Sequence, residues 1–123
     1  MATTTTKFED AFDYKVVHEN VCNNTPIVNV TSAPGSIYSI ALKNGTTSQA
    51  HFKFFDAATV TMGTTVADMV LRVEGNTTTV YNIPDGLDFT YLSFACTLNQ
   101  NPKDNTALTI NNQALVDVKI VCS

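Results

Sequence analysis

Residues 50–98 read AHFKFFDAATVTMGTTVADMVLRVEGNTTTVYNIPDGLDFTYLSFACTL, and this stretch decides the fold. Short apolar runs alternate in it with loops of Thr, Gly, Asp and Asn, which is the pattern of strands separated by turns. The run 92–98 is the clearest strand, because Leu92, Phe94 and Cys96 share one face while smaller or polar residues share the other. No residue in the stretch is placed like a catalyst. We therefore expect a β-rich core and a function carried by a surface.

The rest of the chain is divided in the same way by turn residues. No window keeps helical periodicity over three turns, and turn signals recur about every 8–12 residues. This pattern predicts an all-β protein, an antiparallel β-sandwich of about eight or nine short strands, with jelly-roll connections left open. The predicted strands are 14–22, 27–31, 37–43, 49–56, 69–73, 77–83, 92–98, 107–110 and 114–121.

Two of the turns are predicted from particular residues. Asn44-Gly45 predicts a hairpin, because both central positions of a type I′ turn need positive φ and these residues tolerate it. Pro84-Asp85-Gly86 predicts a second reversal, since Pro sets φ at the first turn position and Gly supplies a free one.

The composition favours strands and excludes several kinds of partner. Thr and Asn number 19 and 12, whereas only 15% of residues are charged, and Thr prefers strands while Asn prefers turns. The net charge is −4, and the seven basic residues are scattered. Nucleic-acid binding needs a basic stripe, so neither nucleic acid nor an anionic membrane surface is expected as a partner. No apolar signal region or membrane-spanning stretch is recognised.

The chain divides into a Thr-rich N-terminal arm at residues 1–12 and a single β-sandwich domain at residues 13–123. Phe8, Phe12 and Tyr14 lie close together at the junction, and three aromatic side chains are costly to leave in water. Two interpretations are balanced. The segment is a frayed terminus, or it is an arm that orders on a neighbouring subunit with these three aromatics as its partner-binding residues.

The three cysteines do not form a recognisable framework. Cys22, Cys96 and Cys122 are widely spaced and include no CxxC pair, which favours buried free thiols in a reducing cytoplasm. The alternative is one disulfide, for example between Cys22 and Cys122, with the third thiol free.

No catalytic or metal-binding constellation is recognised. His18 and His51 both lie in predicted strands, and no HxH, HxxxH or HExxH spacing is present. Asp85 and Asp88 flank Gly86-Leu87, where turn chemistry explains them. We therefore predict that the chain is not an enzyme and has no catalytic residue, metal site or cofactor.

Several segments of the central stretch carry a family resemblance. They are Phe52-Lys53-Phe54-Phe55-Asp56, Met62-Gly63-Thr64, residues 69–73, and Ile83-Pro84-Asp85-Gly86-Leu87-Asp88-Phe89 followed by Tyr91-Leu92-Ser93-Phe94-Ala95. Together they resemble a module of small β-sandwich accessory virion proteins of tailed bacteriophages, of the capsid decoration (cement) type. The chain departs from the family pattern at Thr61, Val66 and Ala67, where a proline often stands near the Gly-Thr pair.

The resemblance implies a non-enzymatic structural virion protein that binds and bridges major capsid protein subunits and stabilises the phage head. It also implies self-association as a dimer or trimer at a symmetry axis, and a location on the capsid surface after synthesis in the host cytoplasm. Two alternatives stay open. One is a phage tail, fibre or spike module that contacts host-surface glycans through Tyr14, Tyr38, Tyr81 and Tyr91. The other is an unrelated β-sandwich enzyme or carbohydrate-binding domain.

Overall fold

The computed structural model of the chain describes residues 3–7, 14–109 and 115–123. Within these ranges the chain forms strands, turns and loops and contains no helix. The strands are β1 (Thr3–Lys7), β2 (Lys15–Cys22), β3 (Gly35–Asn44), β4 (Ala50–Phe55), β5 (Met69–Val73), β6 (Thr78–Phe89), β7 (Ser93–Thr97) and β8 (Val116–Cys122).

These strands form two antiparallel sheets. One is five-stranded with the order β1-β2-β8-β3-β6, and the other is three-stranded with the order β5-β4-β7. All the strand pairs are antiparallel. The predicted all-β antiparallel sandwich is therefore confirmed, while jelly-roll connections stay a prediction.

The main apolar core lies between the two sheets. Val17 of β2 and Ile120 of β8 are fully buried and enter it from the five-stranded sheet. Phe52 of β4 and Phe94 of β7 enter from the three-stranded sheet, with their ring centroids 5.6 Å apart. The alternation predicted for residues 92–98 is confirmed, because Phe94 belongs to this core while Ala95 packs in a separate cluster.

The strand β4 is covered on both of its faces. All six of its residues are buried. Phe52 and Phe54 belong to the main core, whereas Phe55 packs with Ala67 and Ala95 in a second apolar cluster. Side chains of the loop before β5 close this second cluster, so loops cover the outer face of the three-stranded sheet. The chain therefore has three layers at β4.

The predicted hairpin at Asn44-Gly45 is wrong. β3 pairs with β6 and β8, while the next strand, β4, belongs to the other sheet. Neither Asn44 nor Gly45 has the positive φ that a type I′ turn requires. The buried Asn44 side chain shapes a crossover instead: its Oδ1 accepts from the N–H and hydroxyl of Thr46, and its Nδ2 donates to the Ser48 carbonyl at 2.8 Å. These hydrogen bonds satisfy the polar groups of the segment that connects β3 in one sheet to β4 in the other.

The predicted reversal at Pro84-Asp85-Gly86 is a bulge inside β6. The strand pairs with β3 on both sides of it, and the register shifts between Ile37 and Ser39 of β3. The extra residues of β6 therefore lie opposite Tyr38 alone. Gly86 has a φ of 80°, and a Cβ on it would lie 3.0 Å from the Tyr38 ring. The positive φ predicted for Gly86 in a turn is therefore used in a bulge of β6 instead.

Three other segments differ from the predicted strands. Residues 27–31 make a single bridge, between Ile27 and Phe94, because Asn29 has a φ of 47° and interrupts the extended backbone. Residues 107–109 lie outside the strands, and Ile110 lies outside the described residues. β1 forms where no strand is predicted, since a run of Thr has no apolar alternation.

The bulge leads to a stability prediction for Gly86→Ala and Gly63→Ala. Both glycines have positive φ, 80° and 90°, so each substitution carries a backbone cost of about 1 kcal/mol. Of these two glycines, only Gly86 has close neighbours: an added Cβ would lie 3.0 Å from Tyr38 and 3.1 Å from Ser36. At Gly63 the nearest atom would be 3.9 Å away. Urea unfolding should show a loss of about 2 kcal/mol or more for G86A and about 1 kcal/mol for G63A. Equal losses would contradict this account of the bulge.

Candidate interaction surfaces

Of the three aromatic residues predicted to bind a partner, the structure describes only Tyr14. Its side chain is 40% exposed and packs edge-to-face on Tyr38, with the ring centroids 5.4 Å apart. Phe8 and Phe12 lie outside the described residues. The structure therefore joins Tyr14 to the bulge of β6, and the predicted role of all three residues stays a prediction.

The N-terminal arm contains an edge strand of the five-stranded sheet. β1 pairs along its whole length with β2, from Thr3 opposite Glu19 to Lys7 opposite Lys15. The Thr3 hydroxyl donates to the carboxylate of Glu19, which is fully buried and also accepts from the Val21 N–H at 3.1 Å. No strand among the described residues pairs with the other side of β1. That side therefore carries backbone groups that can bind another strand.

The outer face of the five-stranded sheet carries small and β-branched side chains with a few charged side chains among them. His18 Nε2 lies 2.9 Å from an Asp117 carboxylate oxygen, and both side chains are about one-third exposed. The strand registers align one residue from each strand in a row across this face: Thr4, His18, Lys119, Ala41 and Val80. Within the described ranges, no three His, Cys, Asp or Glu side chains group closely enough to hold a metal ion.

The three cysteines are buried free thiols, as predicted. Cys22 and Cys122 occupy opposite ends of the β2–β8 pair, because Cys22 lies opposite Val116 and Cys122 lies opposite Lys15. A separation of about 20 Å along the strands excludes a disulfide between Cys22 and Cys122, which needs Cα atoms within about 7 Å. Burial raises the pKa of the Cys22 thiol, and the neighbouring Cys96 raises it further. Cys22 is therefore a protonated thiol at neutral pH and a weak nucleophile.

Asp88, singled out in the sequence, lies in β6, and a second carboxylate, Asp104, lies in the loop after β7. Asp88 accepts from the Ser36 hydroxyl at 2.5 Å. Asp104 accepts from the N–H and hydroxyl of Thr106 and from the N–H of Asn99. Burial opposes the charge of Asp104, but these hydrogen bonds outweigh it and hold the pKa of its carboxyl below the ordinary value. The loop after β7 is thereby folded onto itself.

A cleft of about 480 Å³ opens on the outer face of the three-stranded sheet, and we call it the His51 cleft. His51 on β4 is 2% exposed, and its Nδ1 lies 3.1 Å from the Leu98 carbonyl oxygen. A carbonyl oxygen only accepts, so Nδ1 carries the proton and Nε2 of the neutral ring is an acceptor. The residues that line the cleft are His51, Val70, Arg72, Gln100, Asn101 and Pro102.

A buried lysine holds one wall of this cleft in place. Lys53 on β4 is fully buried, and its ammonium donates to the carbonyls of Asn101 at 2.6 Å and Asp104 at 3.0 Å. Burial lowers the pKa of Lys53, while the Asp104 carboxylate opposes that shift. The Ala67 N–H also donates to the Pro102 carbonyl at 3.1 Å, which joins the two loops over the sheet. The wall formed by residues 100–102 is therefore anchored from two sides.

No sequence motif predicts this cleft. The predicted position of His51 in a strand is confirmed, but the environment of its side chain depends on the loop that follows β7, about 50 residues further on. The only available signal was Lys53 in an otherwise apolar strand, because a charged residue in a buried strand needs polar partners.

Comparison of the chain with protein-family models, with curated proteins and with solved structures finds no match. No helix in the described part of the chain is long and apolar enough to cross a membrane. The function of the chain must therefore be inferred from the surfaces of its fold and from the resemblance carried by residues 52–95.

His51 should make stability depend on pH. Burial lowers the pKa of His51, Arg72 and Lys53 lower it further, and the Leu98 carbonyl and Asp104 oppose the shift. The unfolded chain, with a histidine pKa of about 6.5, therefore binds a proton more readily than the folded protein. The free energy of unfolding should fall as the pH drops below about 6.5, because the folded state excludes the proton that the unfolded state gains.

This dependence is measured by urea unfolding between pH 7.5 and pH 5.5 for the wild-type protein and for His51→Gln. The variant has no ionisable ring at this position, so its free energy of unfolding should vary less with pH over the same window. A wild-type slope retained in H51Q would show that other groups cause the dependence.

Proposed function

We propose that this chain is a non-enzymatic structural subunit of a virion, a capsid decoration protein that binds and bridges major capsid protein subunits. The observation that supports the proposal most directly is the position of β1. This strand lies at the edge of the five-stranded sheet, and its second side is unpaired within the described residues. An edge strand with a free side is a ready acceptor for a strand of a neighbouring subunit.

The chemistry of β1 suits a contact that forms after folding. Its sequence is TTTTK, and the described side chains, those of Thr3, Thr4 and Thr5, lie outside the apolar clusters. These side chains add nothing to the sandwich core, so a partner can bind along β1 at little cost to the fold. The buried Glu19 carboxylate fixes the register of β1 through the Thr3 hydroxyl. A defined register presents the same backbone groups to each partner.

The outer face of the five-stranded sheet gives the proposal a second contact surface. Lys119, Ala41 and Val80 follow one another across β8, β3 and β6, and Val80 is 52% exposed. A sheet face with small and β-branched residues can lie closely against another subunit of this chain or against the capsid. Weak contacts repeated at every symmetry-related site add up to stable binding. A homo-oligomer at a symmetry axis, on the capsid surface, is part of this proposal.

Copy number on the particle tests the proposal. Quantitative mass spectrometry of purified virions should find the chain at a fixed ratio to the major capsid protein, because decoration repeats with the capsid lattice. A few copies per particle would instead support the tail, fibre or spike module. Absence of the chain from purified particles would overturn both.

Deletion of residues 1–10 tests the role of β1. The truncated protein should keep its fold, with a melting temperature within about 5 °C of the wild type, since the described β1 side chains, those of Thr3, Thr4 and Thr5, lie outside the apolar core. Its binding to particles stripped of the native protein should weaken. Val66→Lys is the matched control, because it changes an exposed residue in the loop before β5 and leaves both β1 and the outer face of the five-stranded sheet intact. Normal binding by the truncated protein would contradict the proposed role.

A second candidate function has one observation in its favour. Tyr91 is 37% exposed and borders a shallow depression with Pro34 and Thr90. An exposed ring beside a depression suits stacking on a sugar, as a tail or spike module would need. The other tyrosines are less suited, because the Tyr81 hydroxyl donates to the Arg72 carbonyl and Tyr38 packs against Tyr14.

A further inference from the structure

The His51 cleft has the volume of a ligand site and is open to solvent. Its volume of about 480 Å³ lies within the usual range of about 300–1,000 Å³ for small-molecule pockets. Val70 on β5 and Pro102 in the loop after β7 give it apolar surface. The loop wall is held by the buried Lys53 ammonium, so the cleft is formed before any ligand arrives.

His51 supplies a polar atom that has no protein partner. The side chain is almost fully buried, and its Nδ1–H is used by the Leu98 carbonyl. Nε2 makes no hydrogen bond with the described residues, although His51 lines the cleft. Nε2 borders the cleft, where a ligand hydroxyl or N–H group can donate to it in place of water. A ligand with such a group therefore suits this site.

The charges of the cleft favour a neutral ligand. His51 is neutral at pH 7 because burial lowers its pKa. The Arg72 guanidinium is compensated by the Glu74 carboxylate at 2.7 Å, which leaves its other N–H groups as donors without a net positive charge at the site. An anion would lack a free cation here, and a cation would lack a free carboxylate.

The remaining polar groups are amides that both donate and accept. Gln100 contributes its side-chain amide to the lining. Asn101 already accepts from the Lys103 N–H through its side-chain oxygen and from Lys53 through its carbonyl, so its side-chain NH₂ is the group left to donate. A ligand with several hydroxyls matches this mixture, because each hydroxyl both donates and accepts.

We propose that the His51 cleft binds a neutral saccharide, with one hydroxyl donating to His51 Nε2 and others accepting from Arg72 and Asn101. The apolar face of the sugar ring lies against Val70 and Pro102. An added peptide strand is disfavoured at this edge, because the Arg72 carbonyl of β5 is occupied by the Tyr81 hydroxyl. This proposal goes beyond the proposed decoration function, since it concerns the outer face of the three-stranded sheet. Binding of a saccharide there does not depend on binding to a capsid.

The test begins with a glycan array probed with the labelled full-length protein, followed by calorimetric titration with the best neutral glycan. Arg72→Met and Gln100→Ala change exposed side chains and should leave the fold intact while raising the Kd about tenfold or more, because each removes a hydrogen-bonding group that lines the cleft. Lys119→Met on the outer face of the five-stranded sheet is the matched control and should bind as the wild type does. Tyr91→Ala separates this cleft from the depression beside Tyr91.

A direct readout of His51 completes the test. Long-range ¹H–¹⁵N spectra of the imidazole should show Nε2 shifting on titration with the glycan while Nδ1 keeps its proton. Lack of saturable binding to any neutral glycan would overturn the proposal. So would binding restricted to sulfated or sialylated glycans, binding unchanged in R72M and Q100A, or binding lost only in Y91A.

Discussion

The rest of the structure depends on the strand β4, which is buried on both of its faces. One of its six buried residues is a lysine, Lys53. Phe52 and Phe54 join this strand to the main core, while Lys53 and Phe55 face the opposite side, where loops must cover them. A buried ammonium is tolerated only where strong acceptors surround it. The carbonyls of Asn101 and Asp104 are those acceptors, at 2.6 Å and 3.0 Å. The conformation of the loop after β7 is therefore dictated by a side chain nearly fifty residues earlier. That loop in turn completes the environment of His51.

The sequence was a good guide wherever one local pattern had only one physical solution. The alternation over residues 92–98 predicted the buried and covered faces of β7, and the cysteine spacing predicted buried thiols. Asn44-Gly45 and Pro84-Asp85-Gly86 failed for one shared reason, since turn residues show where the backbone departs from regular extension and not what the next segment pairs with. Asn44 folds its side chain back onto Thr46 and Ser48, which sends the chain to the other sheet. Gly86 accommodates a bulge, because β6 resumes its pairing with β3 beyond it.

The surfaces were harder to predict than the core for a different reason. A core residue is recognised by its own hydrophobicity. A polar site, in contrast, consists of the hydrogen-bonding groups that have no protein partner after folding. In the sequence, His51 cannot be distinguished from other strand histidines. Its place in the cleft follows from the folded structure, where Nδ1 donates to the Leu98 carbonyl and Nε2 borders the cleft. β1 could not be recognised either, because four threonines have strand propensity but no apolar face to give them a place. Its position follows from pairing with β2 and from the hydroxyl of Thr3 meeting the buried Glu19.

The two proposed surfaces lie on different sheets, and this separation has a physical consequence. β1 and the row from Thr4 to Val80 belong to the five-stranded sheet, whereas the His51 cleft belongs to the three-stranded one. Between them lies a core in which side chains such as Phe52 and Phe94 are fully buried and closely packed. Substitutions on surfaces that share no side chains affect binding independently. If the outer face of the five-stranded sheet binds a partner, as proposed, the cleft lies on the opposite side of the sandwich, so both proposed contacts could form at the same time.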